Sequence, residues 1–186
     1  PEAARLTARA HFHPFLSLRI LRAHGHFIRH CPRRYFGALL EVLRGTWRSA
    51  NFFLGALSFF PKAVRFAFEM QAEKVAHVHA HFANHPALAA LIVHRLTGIP
   101  FSFTAHGSDL HVDRRMLAAK VALAAFVVTV SEYNRELIVR ECGEEVRGKI
   151  SVIHCGVGLE SFLPRRPDSG RPFRILCVAS IEEIKG

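Results

Sequence analysis

The chain has 186 residues, half of them apolar, and a formal net charge of +10. That composition excludes a disordered polyelectrolyte, supplies enough apolar material for a packed core, and points to an anionic partner. Cys31, Cys142, Cys155 and Cys177 contain no C-x-x-C pair, which speaks against a zinc knuckle or a disulfide framework and suits reduced thiols in a cytosolic protein.

The positive charge is concentrated at the start. Through Lys74, twelve Lys and Arg stand against four Asp and Glu; from Val75 onward the balance is thirteen against eleven. Residues 1–74 read as basic amphipathic helices. In RRYFGALLEVLRGTW, the residues Phe36, Leu39, Leu40, Leu43 and Trp47 recur at three- and four-residue spacings, with Arg33, Arg34, Arg44 and Arg48 around the stripe. A Phe-rich stretch follows from Phe52 to Met70, where Pro61 is expected to break or start a helix. Two readings stay open for the stripe: a core-facing side with arginines in water, or a basic aromatic surface resting on anionic lipid headgroups. The longest uncharged run nearby, Ser49 to Pro61, is shorter than the roughly 20 residues that cross a bilayer, so no spanning helix is expected.

From Val75 the pattern changes. Apolar runs at 75–82, 101–105, 125–130, 150–153 and 173–179 alternate with helical segments. Asn84 or His85 can cap the first helix, Pro86 suits its opening turn, Leu88, Leu91, Ile92 and Leu96 form one face, and Gly98 with Pro100 ends it. Ser131 can cap a later helix that turns Leu137 and Ile138 inward and closes at Gly143. Short, nearly all-apolar strands separated by helices predict an α/β fold with a doubly wound parallel sheet covered on both faces, preceded by the helical segment. The expected boundaries are 1–74 for the helices, 75–157 for the sheet domain, 158–172 for a Pro- and Arg-rich linker, and 173–186 for the opening strand and turn of a second lobe. The start at Pro1 without a methionine and the stop within a turn lead to the expectation of a piece of a longer protein.

In such sheets ligands bind beyond the carboxyl ends of the strands. His81, the HGSD stretch His106 to Asp109, Ser131 and Glu132 therefore become candidates for one rim. Gly107 beside His106 lets a ligand approach the backbone, and a nearby carboxylate can fix the imidazole tautomer. His77, His79 and His81 alternate along one strand and share a face, but adjacent members stand about 6.6 Å apart, whereas zinc holds imidazole nitrogens at about 2.0 to 2.1 Å. A metal site would need further ligands, with Asp109 and Asp113 as candidates, and no metal is expected. CGVG at Cys155 to Gly158 lacks the third glycine and helix start of a dinucleotide turn.

HVHAHFANHPALAALIVHRLTGIPFSFTAHGSDL, AFVVTVSEYNRELI, KISVIHCGVGLESFLP and RILCVASIEEIKG together, in order and spacing, resemble the retaining nucleotide-sugar glycosyltransferases of the family-four type, with two facing Rossmann-like lobes (the GT-B fold). More narrowly they look like the exopolysaccharide and colanic-acid branch. The resemblance implies an N-terminal, acceptor-binding lobe with His106 beside the transferred sugar as the catalytic group. Asp109 matches the polar position after His106, and Lys185 the lysine that meets the donor phosphates; His81, Gly107, Ser131 and Glu132 are expected to contact substrate from their place on the rim. The chain departs from the family pattern at Ser180 and Ile181, where many relatives carry an arginine, and at Gly158, where an acid is usual. The implied reaction transfers a hexose from a nucleotide-diphosphate sugar to a lipid-linked or polysaccharide acceptor with retention, without a cofactor. It would take place in the cytoplasm, on the inner face of an anionic membrane, with the chain alone inactive. The competing expectations are a membrane-surface binding module on an α/β scaffold and a metal-dependent hydrolase using the His cluster. Arginines without an aromatic reading platform argue against nucleic acid.

Overall fold

The computed structural model describes residues 17–156, together with residues 7, 10–12, 14, 158, 160, 175 and 176. The chain divides into two compact units, Pro1–Cys155 and Gly156–Gly186. Almost all of the expected linker and second-lobe strand, together with Ser180 and Lys185, lies outside the described residues.

Three helices open the first unit: α1 (Leu18–His30), α2 (Pro32–Thr46) and α3 (Ala50–Ala72). Ser17 and Ser49 cap α1 and α3, accepting from the amides of Ile20 and Phe52 at 3.3 Å each. Pro32 opens α2, where a missing N–H has no intrahelical partner to lose. Pro61 neither breaks nor starts a helix: α3 runs straight through it. An interior proline costs about 3 kcal/mol. Burial of Phe52, Ala56, Phe60, Ala63, Val64 and Ala67 along one side of α3 outweighs that cost.

The face of α2 differs from the one that spacing suggests. Tyr35, Ala38, Val42 and Thr46 are buried, while Phe36, Leu40 and Trp47 are exposed and Leu39 and Leu43 half-buried. α2 packs on α1 and α3 through this side, and Tyr35 reaches His24 Nδ1 through its hydroxyl at 2.7 Å.

The sheet follows as β1 (Val78–His81), β2 (Phe101–Ala105), β3 (Val127–Thr129) and β4 (Ile150–Val152), all parallel and ordered β1-β2-β3-β4. Between the strands lie α4 (His85–Thr97), then α5 (Ser108–His111) and α6 (Leu117–Leu123), then α7 (Glu132–Cys142) with a 3-10 turn over Glu144–Lys149. This is an α/β fold with a four-stranded parallel sheet preceded by helices. Gly98 ends α4 with φ of +83°, a left-handed conformation that glycine adopts without strain. The expected inward face of α4 is present, with Leu88, Leu91, Ile92 and Leu96 all buried.

One face of the sheet carries Phe101, Phe103, Val127 and Ile150, buried against the helices. Fully burying a Phe side chain contributes about 1.5 to 3 kcal/mol. The helices α1 to α3 dock through α3 onto α4, so one continuous core runs from Ala23 to Ile150. The register places His79, His81, Ser102, Thr104, Val128 and Ser151 on the opposite face. On that face Ser102 and Thr104 of β2 are buried, while His79, His81 and Ser151 are exposed, as is His77 just before β1. β1 was expected to be buried, and of its four residues only Ala80 is fully so.

Candidate active site at the sheet rim

Parallel strands share a carboxyl edge, so the residues that leave them meet there. His81 ends β1, His106 follows β2 and Ser131 follows β3. The rings of His81 and His106 stack 5.8 Å apart at 20°, and the ring of Phe82 lies 4.8 Å from that of His106. Asn134, buried in the first turn of α7, donates from Nδ2 to the carbonyl of His106, while its amide donates to Ser131 Oγ at 3.2 Å. The helix after β3 is thereby tied to the loop after β2.

The predicted residues take different parts. His106 Nε2 is shut off from solvent and has no hydrogen-bond partner among the described residues. A buried polar group left unmet is costly, and such groups are tolerated where something else completes them. Gly107 has φ of −145°, which any residue can adopt; a Cβ there would meet nothing within 4 Å, so the space beside the backbone is open. Ser131 caps α7, and Glu132 is exposed and pairs with Arg135 at 2.5 Å. Asp109 turns inward: it is 3% exposed and its carboxylate accepts from the amide of Ala83 at 2.7 Å and from that of His106 at 3.0 and 3.2 Å.

Asp109 works together with a residue the sequence reading passes over. Lys120 on α6 is 1% exposed, and its ammonium donates to the carbonyl of Ala83. The same Nζ stands 5.5 Å over the ring of Phe52 on α3. Burial pushes Lys120 down to about 7, against the opposing attraction of Asp113 and Asp109. Ala83 is therefore gripped at its N–H by one buried charged residue and at its C=O by another. Next to it, Phe82 has φ of +78°, and its amide donates to the Thr104 carbonyl at 2.8 Å. A bulky residue held there costs on the order of 1 to 3 kcal/mol, which persists only where the surroundings enforce it. The signal for Lys120 in the sequence is a lone charge inside the otherwise apolar run MLAAKVALAAF.

The strand histidines form a separate network. Ser102 Oγ lies 2.7 Å from both His77 Nε2 and His79 Nδ1, and His79 Nε2 lies 2.9 Å from Thr104 Oγ1. Both ring nitrogens of His79 are thus engaged within the sheet. Its protonation is disfavoured, first by desolvation and then by His81 and His77. Asp109 is spent on backbone amides, and Asp113 accepts from Ser49 Oγ at 2.9 Å and from the Arg115 amide at 3.0 Å. Among the described residues no group of three or more His, Cys, Asp or Glu is arranged to hold a metal ion. A hollow of about 480 Å³, lined by Gly45 and by residues 112–116, contains none of the rim histidines.

Comparison with curated proteins gives no match. The model of Glycosyltransferase Family 4 matches residues 14–161, which takes in the helices α1 to α3, the whole sheet and the rim. By that match over most of its length, and by the parallel α/β architecture that carries it, the chain belongs to glycosyltransferase family 4.

Proposed function

We propose that this rim is the acceptor side of a hexosyl transfer from a nucleotide-diphosphate sugar, with retention, to a lipid-linked or polysaccharide acceptor of the exopolysaccharide or colanic-acid kind. The observation that carries the reading is the stacked pair His81 and His106 at the strand ends, with His106 Nε2 left without a partner among the described residues. As the bond from the anomeric carbon to the diphosphate loosens, positive charge grows on the sugar and negative charge on the leaving group. His106 acts beside the sugar, His81 holds an acceptor hydroxyl, and Lys185 meets the phosphates. Gly107 leaves room for substrate; Ser131 and Glu132 border it. Asp109 acts through the loop it grips.

The test is made in the full-length protein. Replacing His106 by Ala should lower kcat by about 10²- to 10³-fold, the size of effect seen when one preorganised polar group is lost, while circular dichroism stays native. Turnover at the wild-type rate refutes the role.

The same reading places the protein in the cytoplasm, on an anionic membrane surface. No helix among the described residues is long and apolar enough to cross a membrane. Phe36 and Leu40 on α2, Trp47 at its C-cap, and Leu18, Leu21 and Ile28 on α1 are nevertheless exposed among arginines. Apolar residues interleaved with cations on a surface helix suit lipid headgroups, where the acceptor would be found.

A further inference from the structure

We propose that Phe82 is a stacking plate for a pyranose ring of the acceptor, a specificity-determining side chain at the rim beside His81 and His106. The sequence gives no reason to single it out; the backbone does. Every backbone polar group of Phe82 and Ala83 is held: Phe82 N–H by the Thr104 carbonyl, Phe82 C=O by the Ala87 amide at 3.3 Å, Ala83 N–H by Asp109 and Ala83 C=O by Lys120. Two buried charged residues from two other elements thus fix a φ of +78°, a conformation in which glycine is the unstrained choice.

A large side chain kept in a strained position normally serves the core, yet Phe82 is 44% exposed. It projects where β1 ends, 4.8 Å from the His106 ring. The ring face of Phe is electron-rich and apolar, so it suits the C–H face of a pyranose. The exposed imidazole of His81 can meet a hydroxyl at that sugar's edge as donor or acceptor. An apolar plate beside an adaptable polar group is the chemistry that recognises a sugar. The proposal rests on the transferase reading for what the sugar does next, but not for its binding.

The test uses ligand-observed saturation-transfer NMR on the protein with octyl glucoside, octyl galactoside and octyl mannoside, comparing wild type with F82G and F82W. Phe82→Gly removes the plate and relieves the positive φ, so the variant should keep a native circular dichroism spectrum. The proposal expects saturation of pyranose ring protons in wild type, its loss in F82G and its retention in F82W. In transfer assays the acceptor KM should rise about tenfold in F82G, with the donor KM unchanged. Pyranose signals of equal strength in wild type and F82G overturn it, as does saturation confined to the base protons of added uridine diphosphate. If F82G is poorly folded, retention of the pyranose signal in the more conservative F82L overturns it and loss of that signal supports it. Phe82-dependent pyranose binding without any nucleotide-sugar turnover keeps the plate and removes the transferase reading; wild-type transfer kinetics in F82G do the reverse.

Discussion

Lys120 is held far from its solution behaviour. Burial lowers its pKa from 10.5 to about 7, so between those values the unfolded chain binds a proton that the folded chain does not. Stability should therefore rise with pH above about 7 and fall as pH drops towards it. Two neighbours, Asp113 and Asp109, oppose the shift, and His85 on α4 feels the same ammonium as a repulsion. Above pH 9.0 the Cys142 thiol, pushed up to about 11 by burial, pulls in the other direction, because the unfolded thiol ionises first. Urea midpoints between pH 7 and 9 should rise in wild type and stay flatter in Lys120→Met. Equal slopes would mean that Lys120 carries its proton throughout. Nothing in a linear reading of MLAAKVALAAF reveals this, because the partners of Lys120 come from α3 and from the turn after β1.

Among the elements, α2 and α3 are where packing overrides pattern. The alternation of strands and helices was legible from Val75 onward because each apolar run is short and each helix has its own stop signal, such as Gly98. The inward side of α2 was not, since Phe36, Leu40 and Trp47 share helical spacing as well as Tyr35, Ala38 and Val42 do, and only the neighbouring helices choose between them. Two helical glycines show the same dependence on neighbours. Glycine to alanine inside a helix gains about 1 kcal/mol from propensity alone. At Gly45 a Cβ would lie 2.5 Å from the Met116 side chain, which is flexible; at Gly55 it would lie 2.1 Å from His85 Nε2, in a ring stacked 4.3 Å from Phe52. Gly55→Ala should cost about 1 to 3 kcal/mol through overpacking, whereas Gly45→Ala should be near neutral. Chemical denaturation of the two variants measures the difference, and equal losses would contradict the packing at His85.

At the scale of the whole molecule, the charge asymmetry read from the sequence acquires a location. The surplus of twelve Lys and Arg over four Asp and Glu through Lys74 belongs largely to three helices whose outer sides also show Leu18, Leu21, Phe36, Leu40, Trp47 and Leu54. Trp47 is the only tryptophan and is 69% exposed, so its fluorescence reports directly on this surface. Phosphatidylglycerol vesicles should shift its emission to the blue, and about 0.5 M salt should reverse the shift by screening. An unchanged spectrum with vesicles that sediment free of protein would remove the membrane surface from the account. The rim itself was legible in outline, because a parallel sheet must deliver His81, His106 and Ser131 to one edge. The inward turn of Asp109 was not, since its two amide partners lie on different loops.

Ring proton–carbon correlation spectra of the histidines test the location of the site most directly. Adding a nucleotide-diphosphate hexose and an octyl hexopyranoside to the full-length protein should move the ring signals of His81 and His106. Those of His24 and His94, bonded within the fold to the Tyr35 hydroxyl and the Ile99 carbonyl, should stay in place. Static rim signals alongside ligand-dependent shifts at His24 or His94 would contradict the site.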